Sequence, residues 1–189
     1  MSDGRPSFPS RPEPGLLSWH DGEPCDTDGV VHGFVSYAHD DVPVCVRLLT
    51  QLKAVELKYG ISLWHDKRLK AGHHWNQEIE EAIGRAEVFI LLVSQEFIGS
   101  DYIFGTELPA IKRRLRACKG KAISVVVRAC DWEFACGPTQ AVPSFERRLR
   151  PIEDWKPQNK GYDTARSEID AAIADHFGLR PRKPRWPRT

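Results

Sequence analysis

The chain has 189 residues, enough for one domain with a full hydrophobic core and short tails. Its 27 Lys and Arg and 26 Asp and Glu give a formal net charge of +1, so nothing in the charge favours nucleic acid or an anionic membrane as a main partner. No apolar run reaches the roughly 18 residues that a membrane span needs, and residues 1–14 lack the apolar centre of a signal peptide. These features predict a soluble, cytoplasmic protein.

The spacing of the cysteines and histidines does not predict a metal site. The five cysteines are odd in number and include no C-x-x-C pair, which argues against a disulfide framework and against structural zinc. His65, His73 and His74 cluster in one segment, but adjacent histidines point in different directions and no spaced ligand completes a set. We therefore expect neither a metal nor a cofactor.

Composition divides the chain into three segments. Residues 1–29 are rich in Pro, Gly, Ser and Asp and predict a flexible leader. Residues 30–177 alternate between strand and helix patterns and predict the folded domain. Residues 178–189 form a basic Pro/Arg-rich tail, which favours a solvated segment.

Strand and helix patterns alternate along the domain. Strands are predicted at residues 31–37, 61–64, 88–93, 122–127 and, more weakly, 149–152. Helices are predicted from Asp40 or Asp41, acting as a cap, to Gly60; from Trp75 to Ala86; at residues 107–118 with Thr106 as a cap; and at residues 162–177.

This alternation predicts a flavodoxin-like α/β fold, a three-layer α/β/α arrangement with a five-stranded parallel sheet in the order 2-1-3-4-5. In such sheets ligands bind beyond the carboxyl ends of the strands, where the winding reverses between strands one and three. Function is therefore expected in residues 36–41 and 94–107.

Several common occupants of this architecture lack their motifs here. The run from Ser36 to Asp40 stands where a Rossmann domain needs G-x-G-x-x-G, and no P-loop motif occurs anywhere. Ser94 stands where a receiver domain needs its phosphate-accepting Asp. Asp40 and Asp41 are accordingly interpreted as helix caps.

Four segments in order carry a family resemblance. They are Phe34-Val35-Ser36-Tyr37-Ala38-His39-Asp40-Asp41; Trp64-His65-Asp66 with Leu69, Gly72 and Trp75; Ser94 through Phe97, Ser100 and Tyr102 to Glu107-Leu108; and Arg128-Ala129-Cys130-Asp131-Trp132 with Ala141-Val142-Pro143. Together they cover roughly 150 residues and resemble the TIR (Toll/interleukin-1 receptor) family, especially its bacterial members.

The resemblance implies an intracellular domain that associates with itself through TIR–TIR contacts and takes NAD as substrate. Many members cleave NAD to nicotinamide and ADP-ribose or a cyclic ADP-ribose, and some signal in this way during antiphage immunity. Their catalytic glutamate stands at the position of Glu107. A separate sensor or effector protein is the expected partner. The alternatives are a non-catalytic adaptor and a virulence-type protein acting on a host pathway.

The residues around Glu107 favour catalysis on physical grounds. Breaking the nicotinamide–ribose bond passes through an oxocarbenium-like centre that a carboxylate stabilises, and nicotinamide leaves as a neutral group. Glu107 lies among apolar residues, and loss of water strengthens its field on a nearby cation. The alternative role is an acid that complements a helix N-terminus, worth about 0.3–1 kcal/mol.

Position and resemblance assign the remaining site residues. Substrate binding is expected at Ser36, Tyr37, Ala38, Trp64, Leu69, Ser94 and Phe104. An assembly loop is expected at Lys67, Arg68, Lys70 and Gly72. Each of these residues also has a structural alternative. Tyr37 and Trp64 are also typical framework residues, and Ser36 is also typical of a turn residue that bonds the backbone. The loop is also typical of a solvated turn.

Overall fold

Five parallel strands form the central sheet. The structure is a computed structural model that describes residues 30–65, 75–118 and 120–181. The strands are β1 (His32–Tyr37), β2 (Ser62–His65), β3 (Val88–Val93), β4 (Lys121–Val126) and β5 (Gln140–Val142). Their order is β2-β1-β3-β4-β5, and every neighbouring pair is parallel. The predicted flavodoxin-like order is confirmed.

Helices cover both faces of the sheet. The helices are α1 (Val42–Tyr59), α2 (Trp75–Arg85), α3 (Gln95–Ile98), α4 (Leu108–Ala117), α5 (Trp132–Cys136) and α6 (Asn159–Phe177). One buried cluster joins the sheet to α1 and α6, and a second joins the opposite face to α2, α4 and α5. Because both faces are covered, β3 is buried along its whole length, as its continuous apolar run indicates.

Helix α1 shows how the local sequence sets an element. Pro43 stands in its first turn, where the missing N–H costs no helical hydrogen bond. Apolar residues at helical spacing, such as Leu48 and Leu52, are fully buried against the sheet. Gly60 ends the helix in the left-handed conformation, at φ 72°, as the sequence predicts.

The prediction for the fifth strand was wrong. The strand that pairs with β4 is β5, whereas Arg148–Leu149 (β7) pairs antiparallel with Ser144–Phe145 (β6) in a separate hairpin. Glu146 and Arg147 both have positive φ, the conformation of a tight two-residue hairpin turn. β5 has only three residues and one buried side chain, which is too short for a periodic signal.

Part of the predicted organisation lies outside the described residues. The leader at residues 1–29, the whole loop between β2 and α2 at residues 66–74, and residues 182–189 of the tail fall there. Within the described ranges, no helix is both long enough and apolar enough to cross a membrane.

The core makes a direct test possible. Leu92 on β3 is 0% exposed, and Leu57 on α1 is 70% exposed. We predict that Leu92→Ala lowers the free energy of unfolding by about 2–5 kcal/mol, because truncation leaves a cavity in a packed core. The matched substitution Leu57→Ala should change it by less than about 0.5 kcal/mol. Urea denaturation followed by circular dichroism measures both, and equal effects would contradict the assigned layers.

Candidate active site

The site lies at the carboxyl edge of the sheet, where the winding reverses. β2 lies on one side of β1 and β3 on the other, so the segments after β1 and β3 flank the reversal point. Residues 38–41 follow β1, and Ser94 and helix α3 follow β3. Both segments predicted to carry function therefore meet at this edge.

Glu107 is the buried acid at this edge. Its side chain is only 7% exposed, and its Oε2 accepts a hydrogen bond of 2.5 Å from the Oγ of Ser36, which is 2% exposed. The two residues are 71 positions apart in the sequence. The fold thus joins the predicted catalytic acid to a predicted substrate-binding residue.

A π-helical turn, Ile103–Glu107, positions the acid. The N–H of Leu108 donates to the carbonyl of Ile103, five residues back, before α4 begins. Pro109 has no N–H and cannot make the α-helical bond to the carbonyl of Gly105, which favours a wider turn here. The predicted cap at Thr106 was wrong, because Thr106 lies inside this turn and makes no side-chain cap bond.

The surroundings of Glu107 are apolar, as the sequence indicates. The neighbouring side chains on the same helical segment are buried in the second cluster: Ile103, Leu108 and Ile111. A carboxylate in such surroundings has lost most of its water. Its field on a nearby positive centre is therefore stronger than in bulk solvent.

The predicted residues at the end of β1 divide between the two faces of the sheet. Ala38 is buried in the same cluster as Ile103 and Leu108, on the face of Glu107. Tyr37 packs against the opposite cluster, with α1 and α6. Alternation along the strand therefore brings Ser36 to Glu107 and directs Tyr37 away from it.

Ser94 makes two hydrogen bonds that connect structural segments at this edge of the sheet. Its Oγ accepts from the backbone N–H of Phe97 at 3.1 Å, which caps α3, and donates to Oδ2 of Asp41 at 2.5 Å. The sequence placed Ser94 in substrate binding, which stays a prediction. In this structure its hydroxyl joins the segment after β3 to the segment after β1.

Asp40 or Asp41 was predicted to cap the first helix, and Asp41 stands at the N-cap position of α1. The carboxylate makes no side-chain cap bond to α1 and is 0% exposed. Its Oδ1 lies 3.0 Å from Nη2 of Arg128, just beyond β4, and Arg128 also pairs with Glu96 and with Glu153. A buried carboxylate needs such a partner because desolvation is costly.

The role of Arg128 was not predicted from the sequence, in which this residue stood out only as part of a motif. The available signal was a lone basic residue directly after an apolar strand, at the edge where Asp41 also lies. One guanidinium thereby ties together the ends of β1, β3 and β4 on the rim of the site.

The two predicted aromatic residues lie in separate pairs. Trp64 stacks on Phe34 with ring centroids 5.2 Å apart, which joins β2 to β1, and its substrate-binding role stays a prediction. Phe104, within the π turn, stacks on Phe134 of α5 at 6.4 Å. Phe134 is 73% exposed, so this second pair presents an aromatic surface on the segment that carries Glu107.

Several predicted residues lie outside the described part of the chain. Leu69, expected in substrate binding, and the assembly-loop residues Lys67, Arg68, Lys70 and Gly72 lie outside the described residues, as do His73 and His74. Among the residues that the structure describes, no group of three or more His, Cys, Asp or Glu side chains has an arrangement that could hold a metal ion.

The family follows from a comparison with known domains. A family model for the TIR domain matches residues 34–173, which is most of the chain. The chain belongs to the TIR domain family. The resemblance carried by the four sequence segments is therefore confirmed.

Two known proteins are similar to this TIR domain. The uncharacterized protein y4lF of Sinorhizobium fredii (strain NBRC 101917 / NGR234) is 35% identical over 123 residues, which cover 65% of this chain and 37% of that protein. The chain thus spans little more than a third of that relative. The TIR domains of the activated Roq1 resistosome, which directly recognizes the pathogen effector XopQ, align at 17% identity and a TM-score of 0.45, over 75% of this chain and 84% of that chain.

The buried acid Asp41 predicts a pH dependence. Burial raises the pKa of its carboxyl, although the Ser94 hydroxyl and the Arg128 guanidinium oppose the rise. An acid with a raised folded-state pKa contributes stability below its unfolded pKa, about 3.9, and loses that contribution as the pH rises through the folded value. We predict that the free energy of unfolding of the wild type, relative to Asp41→Asn, falls as the pH rises above about 3.9.

Urea denaturation over a series of pH values measures this difference. Asp40→Asn is the matched control, since Asp40 is the exposed neighbour, and its difference from the wild type should vary much less with pH. A wild type that gains stability over Asp41→Asn across the same range would show that desolvation does not dominate at Asp41.

Proposed function

We propose that this TIR domain cleaves the bond between nicotinamide and ribose in NAD, with Glu107 as the catalytic carboxylate. The observation that supports this most is the desolvated Glu107 at the reversal point of the sheet, held by the Ser36 hydroxyl at 2.5 Å. Functional carboxylates are concentrated at positions like this one, buried at the edge of the sheet where ligands bind.

The proposed reaction needs little more than this acid. The C–N bond to C1′ of the ribose breaks, and its electron pair stays on the ring nitrogen, so that neutral nicotinamide leaves. The positive charge develops at C1′ and the ring oxygen, where Glu107 stabilises it. Water adds to C1′ and loses a proton, giving ADP-ribose. Attack by a nitrogen of the adenine instead closes a cyclic ADP-ribose.

In this proposal Ser36 is a positioning residue. Its hydroxyl bonds one oxygen of the carboxylate and fixes the side chain before substrate binds. The hydroxyls of the ribose then bond the carboxylate as it faces C1′. A preorganised acid stabilises developing charge without a reorganisation cost at the moment of reaction.

The site must open for NAD to reach the acid, because Ser36 and Glu107 are both almost fully buried. We infer that the π turn is the part that moves, because its wider hydrogen bonding departs from the α-helical pattern that α4 then follows. A turn that opens on self-association would make cleavage depend on assembly. We place such a switch in bacterial antiphage immunity, in the cytoplasm, with a separate sensor or effector protein as partner.

The alternative is a non-catalytic adaptor that acts through TIR–TIR contacts. The hydrogen bond from Ser36 favours this alternative to the extent that it gives Glu107 a structural partner. An adaptor would keep the buried acid as part of the framework and would leave NAD intact.

Glu107→Gln tests the proposal. We predict that it lowers nicotinamide release from NAD by about a thousandfold or more, because the neutral amide cannot stabilise the oxocarbenium centre. Release is measured by chromatography at low and high protein concentration, with Glu133→Gln, an exposed acid on α5, as the matched control. Equal release by wild type and Glu107→Gln would show that Glu107 is misassigned. No release from demonstrated assemblies of the wild type would favour the adaptor.

Ser36→Ala tests the positioning role. Loss of one hydrogen bond to a charged group, about 1.5–3 kcal/mol, predicts a kcat lower by roughly 10- to 100-fold with a smaller change in KM. Ser124→Ala is the control, since Ser124 is an equally buried serine whose hydroxyl bonds Thr139 on the far side of β3. Equal losses of kcat in the two variants would indicate general destabilisation rather than positioning.

A further inference from the structure

The π turn at Ile103–Glu107 contacts the rest of the domain through two side chains. The carboxylate of Glu107 accepts the hydrogen bond from Ser36 of β1. The ring of Phe104 stacks on the ring of Phe134 in α5, with centroids 6.4 Å apart and ring planes 18° apart. The first contact fixes the acid, whereas the second holds the segment that carries the acid.

Helix α5 gives Phe134 a fixed support. The next two residues, Ala135 and Cys136, are buried in the second cluster and anchor the helix to the domain. Phe134 itself is 73% exposed, more than any other large apolar side chain that the structure describes. A ring so exposed adds little to the core, so its stacking on Phe104 is the contact through which it acts on the fold.

Movement of the π turn breaks this stacking. In the proposed function the turn moves to admit NAD, because Glu107 and Ser36 are almost fully buried. Phe104 is the second residue of the turn and moves with it, whereas Phe134 stays with α5. A stacked aromatic pair shifts such an equilibrium by about two- to tenfold. The closed turn is therefore favoured by a contact away from the reacting atoms.

We propose that Phe104 and Phe134 form an aromatic latch that holds the π turn closed over Glu107. Loss of the stacking lets the turn open more often and admits the substrate more often. The effect on cleavage rests on the proposed function, but the effect on opening of the turn does not. Because Phe134 is exposed, the latch acts from the surface of the domain, at a residue that takes no part in the chemistry.

Hydrogen exchange at the N–H of Leu108, followed by NMR, measures opening of the turn, because this N–H donates to the carbonyl of Ile103 across the turn. We expect Phe134→Ala to accelerate this exchange by about two- to tenfold. Phe134→Tyr keeps the ring and should exchange like the wild type. The N–H of Lys121 donates to the carbonyl of Glu87 at 2.7 Å, at the amino ends of β3 and β4, and should keep its exchange rate.

Two further variants separate the latch from a general loosening of the domain. In the background of Phe104→Ala, Phe134→Ala should change the exchange at Leu108 no further, since the ring on which Phe134 stacks is already gone. The matched control is Phe145→Ala, which removes an exposed ring from the β6–β7 hairpin and should leave the exchange at Leu108 unchanged.

Nicotinamide release from NAD measures the consequence for the site. At a protein concentration where the wild type cleaves NAD, Phe134→Ala should raise the rate of release by about the factor found for exchange at Leu108, because a larger share of molecules has an open turn. Phe145→Ala should release nicotinamide like the wild type. Circular dichroism checks the fold of each variant, and Phe134→Leu replaces Phe134→Ala if that variant unfolds.

Unchanged exchange at Leu108 in Phe134→Ala would overturn the latch. Equal acceleration at Leu108 and Lys121 would also overturn it, since it would indicate general destabilisation. Faster exchange at Leu108 without faster nicotinamide release, in a protein whose wild type is active, would show that the turn is not what limits access to Glu107, and the latch would again be overturned. Faster exchange at Leu108, together with no release from demonstrated assemblies of the wild type, would retain the latch and refute only the proposed function.

Discussion

The ion pair between Asp41 and Arg128 joins the carboxyl ends of β1 and β4 across β3. Asp41 is fully buried, so removing its cation would leave an uncompensated charge, a change that typically costs about 3–5 kcal/mol. Ser94 bonds the same carboxylate from the end of β3. The rim on which the candidate site depends is therefore fixed by one buried charge and its few polar partners.

The rest of the site is arranged within this rim. Ser36 extends from β1 and bonds Glu107, which reaches the sheet from a π turn rather than from an ordinary helix start. The turn arises where Pro109 interrupts the α-helical bonding pattern. A reaction that forms a positive charge on the ribose of NAD needs such an acid, which is held in place and desolvated. The position of Glu107 in the structure therefore agrees with what the proposed reaction requires of a catalytic acid.

Much of this was predictable from the sequence, because periodicity and composition report burial. The apolar run of β3 and the stop at Gly60 follow from local rules, and the strand order follows from the alternation of elements. Three-residue β5 gave no periodic signal. The roles of Asp41 and Arg128 depend on a contact between residues 87 positions apart, which no local pattern carries. The motif located Glu107 in the sequence, whereas the hydrogen bond that it accepts from Ser36 became visible only in the fold.

In the proposed reaction, Glu107 acts on the ribose carbon C1′ of NAD at this edge of the sheet. The most direct test follows NAD labelled with carbon-13 at C1′ of the nicotinamide ribose, by NMR, in the presence of assembled protein. We predict that the C1′ signal of NAD disappears and is replaced by that of ADP-ribose or of a cyclic ADP-ribose, in the wild type and not in Glu107→Gln. An unchanged NAD signal in demonstrated assemblies of the wild type would show that the protein does not cleave NAD.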